Sequence, residues 1–236
     1  MIEISSTQSS VQAKKIIQKR SLANVSLARW SLPLILAFQA FLSWILLQNT
    51  AFQDEALYVY AGRQILQHWF IGQPLFDRYS FYFSGNPYVY PIIGGALDMV
   101  GGLELARAFS LLCMLITTTC GYYVTIRLFN KKSAVFAALF FVCQGPVLFL
   151  SRLATYDPLC LCLLAIAMAL AVKASLARRP WWSLSIGPFI VLAFGAKYAA
   201  LLFIPSILAV FALSTLLKKG WVSFLVRGTV AMVSLG

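Results

Sequence analysis

The feature that most constrains this chain is a series of apolar segments, each close to the length that a helix needs to cross a membrane. A hydrocarbon core of about 30 Å takes roughly 20 helical residues. Since 61% of the 236 residues are hydrophobic and only 11% are charged, a soluble globule is excluded. We predict an all-α, polytopic transmembrane bundle. Its apolar segments are residues 30–47, 105–128, 134–150, 158–172, 184–196, 198–217 and from 222 onward.

A membrane topology explains the net charge of +12 better than a nucleic-acid partner does, because the basic residues lie mostly between the apolar segments. Placing the N-terminus inside puts most of the 19 Lys and Arg residues on the cytoplasmic side. We therefore predict a basic cytoplasmic tail at 1–29 and a transmembrane domain at 30–236. The domain includes a long external loop at 48–103 that carries interfacial helices, and no nucleic acid is expected as a partner.

The cysteines and the end of the chain add two further expectations. The five cysteines lie in or beside apolar segments without a CxxC pair, so neither a disulfide framework nor a zinc site is predicted. The last apolar segment stops at Gly236 with no polar tail after it. Natural chains seldom end within a span, so we expect a truncated chain.

Residues 50–70 have the pattern of a helix that lies on the outer membrane surface. Thr50 and Gln53 have the spacing of a capping box, and Asp54 and Glu55 fall in the first turn, where the helix dipole favours anions. Apolar side chains then recur at helical spacing. The two carboxylates are explained equally well as a helix cap and as part of a site.

Glycines and aromatic side chains mark the rest of the external loop. Gly94-Gly95 and Gly101-Gly102 do not follow a strand, so they are not a phosphate loop, and we expect them to allow close packing or a re-entrant bend. Seven aromatic residues lie between Phe76 and Tyr90. They fit either sugar-binding platforms or the aromatic belt of a membrane interface.

A set of ionisable side chains lies where the predicted spans meet the outer surface. Such charges cost about 2.5–3.5 kcal/mol at a helix centre unless they are paired or hydrated, so a convergent set indicates a polar cavity. A carboxylate can take a proton from an acceptor, and Arg or Lys can stabilise a departing phosphate. Helix capping and snorkelling are the alternative explanations. The set comprises Asp54, Glu55, Asp157, Arg107, Arg152 and Lys197.

Short motifs that share one side of the predicted membrane follow one another along the chain. They are Asp54-Glu55, Tyr90-Pro91, the stretch 101–107, the stretch 151–157, and 195–198 followed by Pro205. In that order, over residues 30–217, the chain resembles the N-terminal half of GT-C glycosyltransferases. It is most similar to bacterial members that are related to protein O-mannosyltransferases and to the aminoarabinose transferase of lipid A.

The resemblance implies an enzyme that takes a sugar from a polyprenyl-phosphate carrier and passes it, with inversion, to a lipid, glycan or protein acceptor. Asp54 is then the base that activates the acceptor, Glu55 lies beside it, and Asp157 lines the same cavity. Lys197 and Arg152 are implied to contact the donor phosphate or its carrier. Arg107 has either this role or a structural one.

The same resemblance bears on cofactors and location. The donor carries a single phosphate, so a divalent metal is optional and no metal ligand is assigned. It implies a bacterial plasma (inner) membrane with the site facing the periplasm or the exterior, in agreement with the cytoplasmic N-terminus that the basic residues predict.

Two other functions stay open at this point. A transporter or lipid flippase would use the same charges as a substrate path, and its signature is inverted repeats and broken spans. The short segments around Lys197 are the one candidate for such an element. An inactive, truncated relative would show no change of phenotype when Asp54 and Asp157 are both neutralised.

Overall fold

The computed structural model describes residues 30–45, 52–86 and 88–234, and every regular element in these ranges is a helix. The predicted all-α class is confirmed, whereas the predicted tail at 1–29 lies outside the described residues. The α-helices are α1 (Trp30–Trp44), α2 (Gln53–Ile71), α3 (Tyr90–Leu128), α4 (Lys131–Val142), α5 (Gly145–Leu150), α6 (Tyr156–Leu176), α7 (Ile186–Ala196) and α8 (Ile204–Val233). Short 3-10 helices lie at Tyr79–Phe81, Pro180–Ser185 and Tyr198–Phe203.

Three helical stretches in the described part of the chain are long and apolar enough to cross a membrane, namely Tyr90–Leu128, Tyr156–Leu176 and Tyr198–Val233. The chain is thus a membrane helical bundle. The predicted segment 134–150 is divided between α4 and α5, and the described helices Trp30–Trp44 and Pro180–Ala196 are shorter than the three candidate spans. Pro146 in the first turn of α5 has no backbone N–H to donate to the preceding turn, so the helix restarts there.

Helix α3 bends back on itself at a glycine pair, where the sequence predicted close packing or a bend. Gly102 has φ 70° and ψ −176°, a conformation that glycine adopts without a Cβ penalty. Residues 90–100 pack against residues 103–128, since Leu97 and Leu103 join one cluster and Tyr90 and Phe109 join another. The predicted bend is therefore confirmed, and the predicted loop up to 103 contains a helical limb.

Helix α8 is a hairpin of the same kind. Gly220 has φ 76° and ψ −179°, and Phe211 and Ala231 on either side of it lie in one hydrophobic cluster with residues of α6 and α7. Residues 204–219 and 221–233 therefore face each other. This agrees with the two separate apolar segments predicted from the sequence.

Helix α2 lies against the first limb of α3 at a crossing of glycines. A Cβ added at Gly62 would overlap the carbonyl oxygen of Pro91, and one added at Gly95 would lie 2.5 Å from the carbonyl carbon of Gly62. Small residues let helix backbones approach this closely. An ion pair between Arg63 and the nearly buried Asp98 joins the same two elements. The crossing fixes the position of α2 and of the carboxylates at its start.

Candidate active site

Glu55 is the structural anchor at the start of α2, and its side chain is fully buried. Arg107 of α3 donates from Nε to Oε1 at 2.9 Å and from Nη2 to Oε2 at 2.7 Å. The backbone amides of Ala154 and Phe52 donate to the same two oxygens at 2.7 and 2.9 Å. The bidentate pair with Arg107 therefore ties α2 to α3. The hydrogen bond from Ala154 ties α2 to the segment before α6.

The start of α2 corrects the predicted capping box. The helix begins at Gln53 with Phe52 as its N-cap, so Gln53 is the first helical residue, and Thr50 lies outside the described residues. Phe52 has no polar side-chain atom to cap with. Glu55 still makes the other hydrogen bond of a capping box, because its carboxylate accepts from the backbone amide of Phe52. Arg107 and Ala154 hold the carboxylate in the position for this bond.

The charge on Glu55 is stabilised by these contacts. Burial by itself raises the pKa of Glu55, but the hydrogen bonds from Arg107, Ala154 and Phe52 outweigh burial and hold the pKa below its ordinary value. Both carboxylate oxygens are occupied. Glu55 is thus arranged to hold the site together, and it is poorly placed to accept a proton from a substrate.

Asp54, the neighbouring carboxylate, has the opposite surroundings. Its side chain is exposed, and within the part of the chain that the structure describes it forms no hydrogen bond or ion pair. Successive residues on a helix point about 100° apart, so one of the pair faces the core and the other faces outward. An unengaged carboxylate is what a general base requires.

A second carboxylate lies at the start of α6 and is paired with a lysine from the end of α7. Lys197 Nζ is 2.5 Å from Asp157 Oδ1, and the two side chains are 26% and 32% exposed. The same Nζ lies 4.8 Å from the centroid of the Tyr156 ring. The structure therefore brings together two predicted site residues that are 40 positions apart in the chain.

The loop before α3 closes over this pair. The Ser84 and Tyr156 hydroxyls are 2.8 Å apart, and the Tyr198 amide donates to the Ser84 carbonyl at 2.7 Å. A Cβ at Gly85 would overlap the carbonyl oxygen of Ala196, so only glycine allows this approach. The loop and the end of α7 therefore form one wall of the site.

Two tyrosine rings in contact, one from α2 and one from α6, join the helices whose first turns carry Asp54 and Asp157. The ring centroids of Tyr58 and Tyr156 are 4.8 Å apart. Burial is the largest cause that raises the pKa of Tyr58, followed by Tyr156 and then by the charges of Asp54 and Asp157. The charges of both carboxylates thus raise the pKa of the same phenol. Neither tyrosine was among the predicted site residues, although Tyr58 follows Asp54 at the i, i+4 spacing of one helix face and Tyr156 directly precedes Asp157.

Arg152 lies beside the start of α2. Its guanidinium is 5.8 Å from the centroid of Phe149, whose ring meets that of Phe52 edge-on at 6.3 Å. Arg152 is half-buried and, among the described residues, has no hydrogen bond or ion pair through its side chain. It therefore supplies an uncompensated positive charge near the N-terminus of α2.

The described residues contain no group of three or more His, Cys, Asp or Glu side chains that would hold a metal ion. The charged cluster, defined as Asp54, Arg152, Asp157 and Lys197, combines one unengaged carboxylate, one carboxylate–lysine pair and one arginine without an ion pair among the described residues. Such a set can accept a proton and stabilise a departing anion.

The fold is an all-helical membrane bundle with charged residues at the starts of α2 and α6 and at the end of α7. Residues 87–235 match the model of the dolichyl-phosphate-mannose-protein mannosyltransferase family, and the chain belongs to this family. It is therefore a mannosyltransferase-like membrane glycosyltransferase of the GT-C superfamily. No curated protein and no solved structure matches the chain.

The matched region contains one part of the site and excludes another. Arg107, Arg152, Asp157 and Lys197 lie within residues 87–235, whereas the carboxylates at the start of α2 precede them. The connection of those carboxylates to the family region is therefore structural, through the contacts that Glu55 makes with Arg107 and Ala154.

Proposed function

We propose that this protein transfers a sugar from a polyprenyl-phosphate carrier to an acceptor at the outer face of the membrane, with Asp54 as the base. This proposal rests on the difference in hydrogen bonding between the two adjacent carboxylates. Glu55 has both oxygens occupied by four donors, while Asp54 is exposed and unengaged among the described residues. A base must be free to accept a proton, and a buried ion pair must not give up its charge.

The proposed step is a single displacement. Asp54 takes the proton of an acceptor hydroxyl or amine while that atom bonds to the anomeric carbon. The bond between the anomeric carbon and the phosphate oxygen breaks, and the carrier phosphate leaves with the electron pair. Attack from the face opposite the phosphate inverts the anomeric centre. The acceptor is a lipid, a glycan or a protein.

The cations of the cluster stabilise the leaving phosphate in this proposal. Lys197 is partly exposed and held by Asp157, so its ammonium is positioned yet accessible. Arg152 adds a charge that forms no ion pair with a described carboxylate. Arg107 takes the structural role, since its guanidinium holds Glu55 in a buried pair. Asp157 orients Lys197, and through it the donor.

The positive-inside rule supports the outer face as the location of this cluster. The opposite end of α6 carries Lys173 and is followed by Arg178 and Arg179, and Lys219 donates to the carbonyl of Ala177 there. Lys and Arg are enriched in loops on the cytoplasmic side. The proposed domain is 30–236, in a bacterial inner membrane with the N-terminus inside.

The experiment uses the full-length natural protein in membranes and a mannosyl-phosphoryl polyprenol with radiolabelled mannose. We expect the Asp54→Asn variant to insert normally and to lose 10²-fold or more of the label transfer, as general-base removal typically costs 10²–10⁴-fold. Asp77→Asn is the matched control, because Asp77 is an exposed carboxylate of the same external loop whose oxygens are engaged by the Tyr82 hydroxyl and the Arg78 amide.

Three outcomes would contradict the proposal. Full transfer by the Asp54→Asn variant would remove Asp54 as the base. Movement of the labelled donor across the bilayer without transfer would favour a flippase. Absence of both activities in the unmodified protein would favour an inactive relative.

A further inference from the structure

The hairpin of α8 is fastened to the C-terminal end of α6 by two cations. Arg227, which is 3% exposed, donates to the carbonyls of Ala174, Ala177 and Arg178. Lys219 donates to the Ala177 carbonyl as well. The last carbonyls of a helix have no partner within the helix and carry its negative dipole end, so these contacts are explained by capping.

Capping leaves a surplus of positive charge at this place. Arg178, Arg179 and Lys218 are exposed beside the two capping cations, and their side chains form no hydrogen bond or ion pair with a described residue. The sequence contains no Asp or Glu after Asp157. That residue lies at the other end of the 21-residue helix α6, about 30 Å away at 1.5 Å per residue. No described carboxylate forms an ion pair with these cations.

Exposed tryptophans lie within three residues of these cations along the chain. Trp181 and Trp221 are 68% and 70% exposed, and the ammonium of Lys173 lies 3.8 Å from the ring centroid of Trp182. Tryptophan is enriched where the headgroups meet the hydrocarbon, because its ring is apolar and its N–H is polar. The cations are therefore at headgroup depth and accessible from the side of the bilayer.

We propose that this basic patch, defined as Arg178, Arg179, Lys218 and Lys219, binds the phosphodiester of an anionic phospholipid. The phosphodiester supplies the missing negative charge. The acyl chains lie along the apolar surface next to the patch, where Leu217 and Val222 are 77% and 78% exposed. A free phosphate would satisfy the charges alone and leave this surface uncovered. The inference does not depend on the sugar transfer proposed above.

The test is a titration of the purified full chain in dodecyl maltoside with dioleoyl phosphatidylglycerol or phosphatidylcholine, followed by native mass spectrometry. We expect phosphatidylglycerol to bind more tightly than phosphatidylcholine, and 0.5 M salt to weaken the former alone. Each basic residue near a lipid headgroup contributes roughly 5-fold to the affinity for an anionic lipid. The triple variant R178Q/R179Q/K218Q should therefore reduce the preference for phosphatidylglycerol over phosphatidylcholine by about 100-fold.

The matched control is K131Q/K132Q, which removes two exposed lysines at the start of α4 that do not belong to the patch. Equal losses in the triple variant and in this control would overturn a localised site, and so would equal binding of the two lipids. Displacement of phosphatidylglycerol by millimolar inorganic phosphate would show a free-phosphate site instead. If the triple variant does not fold, R179Q alone and the salt series decide between the same outcomes.

Discussion

At the scale of single residues, Asp54 and Glu55 show how strongly one step along a helix changes the chemistry of a carboxylate. They are identical in charge and adjacent in sequence. One is exposed and the other is fully buried in a bidentate pair with Arg107. The sequence predicts both residues as site candidates. Only the direction of each side chain distinguishes Asp54, the proposed base, from Glu55, the structural anchor.

The Glu55→Ala substitution tests the anchor. We expect it to lower the free energy of unfolding by about 3–5 kcal/mol, because it leaves Arg107 as an uncompensated buried charge. Thermal unfolding in detergent, followed by circular dichroism, measures the loss. Lys197→Gln is the comparison, since its partly exposed pair with Asp157 should contribute no more than about 1 kcal/mol. Equal losses in the two variants would contradict the anchoring role.

At the scale of helices, glycines decide where the backbone bends and where two helices meet. Gly102 and Gly220 adopt positive φ and turn α3 and α8 into hairpins. Gly62 and Gly95 allow α2 to contact α3 through backbone atoms. The arrangement of the site depends on this second pair, because α2 carries both carboxylates at its first turn.

The Gly62→Ala substitution tests the crossing of α2 and α3. The added methyl group would overlap the backbone carbonyl of Pro91, which cannot move as a flexible side chain can, so we expect a loss of about 1–3 kcal/mol. Gly121→Ala is the control, because nothing lies within 4 Å of a Cβ there and alanine favours a helix. Thermal unfolding measures both variants. An unchanged midpoint for Gly62→Ala would show that the helices are less closely packed.

At the scale of the whole molecule, the contacts of Glu55 join three parts of the bundle, so its ionisation influences the stability of the fold. The pKa of Glu55 lies below its ordinary value of 4.5 in the folded protein. The unfolded chain therefore binds the proton more readily. The stabilisation is fully present above pH 4.5 and is lost as the pH falls through the lower, folded-state pKa.

A series of melting temperatures in detergent from pH 7 to pH 3 checks this dependence. We expect the natural protein to lose stability on acidification below about pH 4.5 more steeply than Glu55→Gln, which has no proton to bind at this position. Parallel curves for the two proteins would assign the acid sensitivity to other carboxylates.

The sequence by itself determined the class of this protein. Backbone N–H and C=O groups must be hydrogen-bonded within the segment when it crosses hydrocarbon, so a long apolar segment forms a helix whatever its neighbours are. The apolar segments and the distribution of basic residues were therefore sufficient to predict a helical membrane bundle. The order of its short motifs also indicated the glycosyltransferase superfamily, which the family match over residues 87–235 confirmed.

Only the tertiary structure decided which charged residues meet and where the helices turn. Glu55 and Arg107 are 52 positions apart, and Asp157 and Lys197 are 40 apart, so their pairing depends on how the helices pack. Hydropathy could not show that residues 90–100 form a helical limb or that α4 ends before α5, because a helix and a break in it have similar composition. The physical reason is that side-chain direction and backbone path are set by contacts between distant segments, which a local pattern does not contain.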